Sequence, residues 1–318
     1  MREPSPSSHP PRSAVRGAIV AGSAVVVVLI VVLAGVLWVS GSTDDASGGG
    51  GQDGGGEQAD ATGSRRPLLV HLGDSYASGA GTQPLVEDSP LLCQRSQRNF
   101  GELVAARGRM RIVDASCAGA TTGHLYDAQY DGVDGQLEAL DPDAAVVTLM
   151  LGGNDSAMFS TIVGECSRAA RDDPAGDPCR RALGDEPLGE IDRVTGPNLE
   201  RALREVRGRA PRARVVIAGY PWLIGEHACR PAVQIADGDV AYVRALQRRL
   251  NRVVRAAADA AGAIYVDMSR ASVGHDACAP KPRRWIEPQI GADSAIVLHP
   301  NESGQQAIAD AVAAALGR

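Results

Sequence analysis

The chain has 318 residues, with 32 Lys and Arg against 38 Asp and Glu, a formal net charge of −6. The two signs are interspersed without a basic block, so nothing in the charge pattern would hold a nucleic acid. With 3% aromatic residues, and Trp222 and Trp285 the only tryptophans beyond residue 66, a stacking surface for sugars is not expected either.

Residues 18–39 carry no charged side chain. As a helix rising about 1.5 Å per residue, this stretch of about 22 residues would be about 33 Å long, enough to cross a bilayer. Arg2, Arg12 and Arg16 precede it and Asp44, Asp45 and Asp53 follow it. The positive-inside rule therefore puts residues 1–17 in the cytoplasm and the rest of the chain outside, as a single-pass protein of the cell membrane. A cleaved signal peptide, which would leave a secreted protein, is the alternative, because Ser40, Gly41 and Ser42 supply small residues; the length of the run favours the anchor. Residues 40–66 contain glycine runs at 48–51 and 54–56 and no aliphatic cluster, and read as a flexible linker. Residues 67–318 have the length of one α/β domain with its own core.

The domain opens with an aliphatic run at 68–72 that stops at Gly73, Asp74 and Ser75, the pattern of a buried parallel strand, a tight turn and an exposed hydroxyl. A helical pattern follows at 99–107, then a short strand at 109–115. The small residues at 116–123 form a loop whose backbone amides could closely approach a ligand. Residues 144–151 are the strongest buried-strand signal, and they end in Gly152, Gly153, Asn154 and Asp155. Residues 166–179, rich in Arg, Asp and Pro, read as a surface excursion. A helix with Leu199, Leu203 and Val206 on one face comes next, then a strand at 214–220. An amphipathic helix at 239–261 turns Val240, Val243, Leu246, Leu250, Val253 and Val254 inward. A fifth strand at 263–267 and a last helix at 301–316 complete the order. Strands alternating with helices predict a doubly wound parallel sheet of about five strands.

All six cysteines, Cys93, Cys117, Cys166, Cys179, Cys229 and Cys278, follow the uncharged run. An even number on the outer side of a membrane favours disulfides, with fifteen pairings open and the sequential one the simplest. No CxxC or HExxH spacing is present, so neither structural nor catalytic zinc is expected, and no nucleotide or other cofactor is predicted.

Acyl transfer needs a nucleophile, a base and donors aimed at the oxyanion of the tetrahedral intermediate. Ser75 is the nucleophile candidate. Its own amide, the amide of Gly119 and the side-chain amide of Asn154 lie at successive strand ends as donor candidates, and His299, entering the last helix, is the base candidate. Taken singly, Gly119 reads as a turn glycine, Asn154 as a helix cap and His299 as a loop residue before Pro300. In the order Gly-Asp-Ser-Tyr at 73–76, Ala-Gly-Ala at 118–120, Gly-Gly-Asn-Asp at 152–155 and His-Pro-Asn-Glu-x-Gly at 299–304, they resemble the SGNH (GDSL) hydrolase family across residues 68–318. The cysteine layout and the stretches 274–278 and 285–288 resemble its actinobacterial secreted esterase and lipase branch.

The resemblance implies a flavodoxin-like three-layer α/β/α sandwich and an ester hydrolase, an esterase or lipase without a cofactor. It further implies Ser75 as nucleophile, His299 as base and an oxyanion hole of Ser75, Gly119 and Asn154, with the cysteines paired sequentially. The substrate would be a small-molecule or lipid ester, the catalytic domain a monomer, and the membrane would be reached through the N-terminal helix. One position departs from the family pattern. Where many members carry an Asp three residues before the histidine, this chain has Ile296. An imidazole base still needs an acceptor at Nδ1. Some members of the branch that the chain resembles use a backbone carbonyl there, and the resemblance thus implies that a main-chain oxygen near Ile296, that of Ile296 itself first, orients His299, with Asp293 and then Asp276 as weaker candidates. His71, His124, His227 and His275 belong to no motif and read as structural or surface residues. An α/β-hydrolase is disfavoured because Ala77 stands at the last glycine of G-x-S-x-G and Ser75 follows the first strand. An acyltransferase or deacetylase acting on envelope polysaccharide or lipid is the alternative enzyme, and a non-catalytic envelope-binding module the alternative class.

Overall fold

The structure, a computed structural model, describes residues 66–318. The segment 1–17 expected in the cytoplasm, the expected membrane span 18–39 and all of the expected linker but its last residue lie outside the described residues. Among the described residues no helix is long and apolar enough to cross a membrane.

Five parallel strands, β1 (Leu68–Gly73), β2 (Arg111–Asp114), β3 (Val146–Met150), β4 (Arg214–Ala218) and β5 (Ile264–Val266), form one sheet in the order β2-β1-β3-β4-β5. Every residue of β1 and β3 is buried, because these central strands are covered on both faces, and this explains their unbroken aliphatic sequences. At the edge, β2 alternates exposed and half-buried residues. The principal helices are α1 (Ser75–Ser78), α2 (Phe100–Arg107), α3 (Gly196–Arg209), α4 (Val240–Ala261) and α5 (Glu302–Ala315). The connections run outward in one direction from β1 to β2 and in the other from β3 to β5, and with the right-handed crossovers that parallel sheets favour this divides the helices between the two faces. Accordingly α2 packs on α5, and α3 packs on α4.

In α4, Val240, Val243, Leu246, Leu250 and Val254 are buried while Val253 is half-buried. Each such side chain contributes about 1.5–3 kcal/mol by leaving water. Asn99 caps α2 by accepting from Glu102 N–H, and Asn301 caps α5 by accepting from Gly304 N–H. Residues 166–179, read from sequence as a surface excursion, lie in a run of short helical turns between β3 and α3, with prolines opening two of them at 178 and 187.

The strand order reverses between β1 and β3, and a crevice outside the carboxyl ends of strands at such a reversal is where ligands bind in open α/β sheets. Ser75 follows β1, the 116–123 loop follows β2, and Asn154 follows β3, so the three candidate segments leave adjacent strands.

Candidate active site

The turn that carries Ser75 is built by Gly73, whose φ of 134° favours glycine and whose added Cβ would lie 2.2 Å from Met150 O. Asp74 then donates its N–H to Met150 O at 3.0 Å, and its carboxylate caps α1 through Tyr76 N–H at 2.9 Å. Gln305, wholly buried, ties the turn to the last helix pair: its side chain donates to Tyr76 O and accepts from Phe100 N–H, both at 2.9 Å. Ser75 is thereby presented at the first position of α1, where its own N–H is one of the donors a helix leaves unused.

His299 meets this hydroxyl from the far end of the chain, with Nε2 2.7 Å from Ser75 Oγ. Its Nδ1 lies 2.8 Å from Val297 O. A carbonyl can only accept, so Nδ1 carries the proton and Nε2 presents its lone pair to the serine hydroxyl. Burial lowers the pKa of His299 below its ordinary value, with the Val297 carbonyl acting in the opposite direction. The orienting carbonyl is therefore that of Val297, one residue beyond the expected Ile296. The left-handed backbone of Leu298, φ 56°, folds the chain back so that the carbonyl two residues before the histidine faces its ring. Neither aspartate takes that place: Asp293 pairs with Lys281 at 2.8 Å, and buried Asp276 accepts from Cys278 N–H at 2.9 Å. The loop is held by Tyr76 Oη, which donates to Leu298 O at 2.6 Å, and by the Glu287 backbone, which bonds Leu298 N–H and His299 O at 2.9 Å each.

The loop after β2 is pinned on both sides of Gly119. Cys117 N–H donates to Gly73 O, Ala118 N–H to Cys93 O and Ala120 N–H to Cys117 O, all at 3.0 Å, while Cys93 and Cys117 are disulfide-bonded. Exposed Gly119 has φ 80°, and its N–H takes part in none of these bonds. Asn154 Nδ2 donates one hydrogen to Ala120 O at 3.0 Å, leaving a second for the crevice. The remaining cysteines pair as Cys166 with Cys179 and Cys229 with Cys278.

Two buried carboxylates at these strand ends stand inside the sequence motifs but had no catalytic assignment there. Asp155, in which burial raises the pKa, accepts from Thr122 N–H at 2.8 Å and Thr122 Oγ1 at 2.6 Å, tying the Asn154 loop to the Gly119 loop. Asp74 is fully buried, and desolvation pushes its carboxyl up to about 7. It accepts from the hydroxyl of Tyr220, which itself accepts from Gly153 N–H at 2.8 Å. Asp155 could have been suspected from its place beside Asn154; nothing local marks Tyr220. Tyr76 lies between His299 and Tyr220, with ring centroids 5.0 and 5.2 Å away. The other histidines lie outside this arrangement. His71 is buried between Thr148 Oγ1 and Ala77 O, His124 accepts from Thr121 N–H, His275 stacks on Trp285, and His227 is exposed. Among the described residues no group of three His, Cys, Asp or Glu side chains is arranged to hold a metal ion.

A five-stranded parallel sheet flanked by helices, with a serine at the end of its first strand, has the architecture of the SGNH hydrolases. The solved phospholipase A1 of Streptomyces albidoflavus and extracellular lipase of Streptomyces rimosus share it, each with a TM-score of 0.65 at 24% identity over 79% of this chain and 98% of theirs. Residues 71–307 match the GDSL-like Lipase/Acylhydrolase family, and the chain belongs to it. It is 41% identical to Lipase 2 of Streptomyces coelicolor over 252 residues, 78% of this chain and 85% of that protein. The protein is thus a GDSL-type ester hydrolase.

Proposed function

We propose that the protein is an extracytoplasmic serine esterase or lipase in which Ser75 and His299 form a dyad oriented by the Val297 carbonyl. The observation that carries this reading is the 2.7 Å contact between Ser75 Oγ and the unprotonated Nε2 of His299. Ser75 Oγ attacks the ester carbonyl as its proton passes to Nε2, and the new O–C bond places a negative charge on the former carbonyl oxygen. The Ser75 and Gly119 amides and the free hydrogen of Asn154 Nδ2 meet that charge. Collapse breaks the bond to the alcohol, which leaves with the proton from Nε2. Water, deprotonated by the same nitrogen, then releases the acid and restores the serine. A carbonyl in place of a carboxylate still fixes the tautomer but brings no full negative charge to the imidazolium.

The lipase relative in Streptomyces coelicolor supports a lipid or other acyl ester as substrate. Three disulfides and the uncharged run at 18–39 support a domain held outside the cytoplasmic membrane by an anchor. The test is hydrolysis of short- and long-chain p-nitrophenyl esters by the oxidised protein beside Ser75→Ala and His299→Ala. Loss of turnover in both variants is expected, and turnover surviving Ser75→Ala overturns the assignment. Protease digestion of intact cells tests the placement: the domain is expected to be cleaved from outside, and full protection contradicts it.

A further inference from the structure

We infer that Tyr220 is a positioning residue for the oxyanion hole, joining the nucleophile turn to the Asn154 loop through its hydroxyl. This rests on Asn154 being an oxyanion donor. Tyr220 comes from neither loop; it lies two residues beyond β4 and is itself held rigidly. Asn251 of α4 accepts from Tyr220 N–H at 2.8 Å and donates to Tyr220 O at 2.9 Å, so both backbone groups are fixed by one amide. The ring packs edge-on against Tyr76 and Phe159, with centroids 5.2 and 5.1 Å away. From this fixed base the hydroxyl donates to Asp74 Oδ2, next to the nucleophile, and accepts from Gly153 N–H, next to Asn154.

The two bonds divide the work. Asp74 Oδ1 is occupied by Tyr76 N–H, so Tyr220 supplies the donor for the other carboxylate oxygen, and the phenol proton is committed to Asp74. The phenol oxygen is then free to accept, and it fixes the Gly152–Gly153 peptide, one peptide unit before the one that joins Asn154. Gly153 has no room to shift toward the aromatic cluster, since an added Cβ would lie 1.9 Å from Phe159. With Ala120 O taking one hydrogen of Asn154 Nδ2, that bond and the anchored Gly152–Gly153 peptide, from which the turn carrying Asn154 starts, together set where the second hydrogen points. A side chain acting in this way affects the transition state, where the oxyanion forms, more than substrate binding.

The test is a double-mutant cycle between Tyr220→Phe and Asn154→Ala on a soluble p-nitrophenyl ester. Tyr220→Phe keeps the ring packing and is expected to lower kcat about 10- to 100-fold with KM within about twofold, against about 10²–10³ for Asn154→Ala. Acting through Asn154, the first change adds at most about threefold to the second, whereas independent effects multiply. Asp74→Asn provides a second arm if Tyr220→Phe melts too early to assay. It turns the phenol's acceptor into a donor, and the same non-additivity with Asn154→Ala is expected. Multiplying effects, or a kcat for Tyr220→Phe within twofold of the parent, overturns the inference and leaves the Ser75–His299 reading intact. An unchanged kcat in Asn154→Ala overturns both this inference and the assignment of the oxyanion hole.

Discussion

Removing the disulfides one at a time, as paired Cys→Ser variants, should separate stability from activity. The closed loops span 24, 13 and 49 residues for Cys93–Cys117, Cys166–Cys179 and Cys229–Cys278. In the chain-entropy treatment the stabilisation grows with the logarithm of loop length, giving about 3.5, 2.9 and 4.1 kcal/mol respectively at 25 °C. Stability should therefore fall most for the 229–278 pair and least for the 166–179 pair. Activity should follow a different order, because only Cys93–Cys117 clamps the loop that presents Gly119, with Ala118 N–H on Cys93 O and Cys117 N–H on Gly73 O. Losing a well-placed oxyanion donor costs about 10²–10³ in kcat, and a loosened one should cost at least about tenfold. Urea unfolding with kcat measured below the transition reads both quantities. A kcat that drops in order of loop length, or that is unchanged in Cys93→Ser/Cys117→Ser, would refute the reasoning.

The acid limb of kcat/KM should lie below the ordinary histidine value of 6.5, since burial lowers the pKa of His299 and the free base persists to lower pH; a limb centred above 7 contradicts this. Asp74 acts in the opposite sense on stability. Its carboxyl rises from 3.8 to about 7 on folding, so the stability it contributes is fully present below about pH 4 and is lost as pH climbs through 7. Stability measured against pH should therefore move in favour of Asp74→Asn between pH 4 and 8, and a difference that does not change with pH would show that Asp74 does not titrate in this range.

The central strands were legible because burial on both faces demands unbroken aliphatic runs, as at 68–72 and 144–151. The edge strand was read too long, at 109–115 against Arg111–Asp114, because exposed Arg111 and Val113 leave a weaker pattern. Ser75, Gly119, Asn154 and His299 could be named because each lies in a short motif at a strand or helix end. The Val297 carbonyl could not: it depends on positive φ at Leu298, which leucine, unlike glycine or asparagine, does not advertise. Tyr220 was equally hidden, since its hydroxyl meets Asp74 across 146 residues of sequence and only the folded sheet brings the ends of β1, β3 and β4 together. Sequential pairing of the cysteines was the simplest of fifteen choices and was implied by family resemblance; the bond from Cys117 N–H to Gly73 O ties the 93–117 pair to the turn that carries Ser75.

The most direct test of the account is to trap the nucleophile. An alkyl p-nitrophenyl phosphonate, which reacts with an activated serine as an ester does but is not released by water, should add one phosphonyl group per chain. Peptide mapping should place it on Ser75, with labelling abolished in Ser75→Ala and slowed at least about 10³-fold in His299→Ala. A label on any other residue, or full-rate labelling without His299, would contradict it.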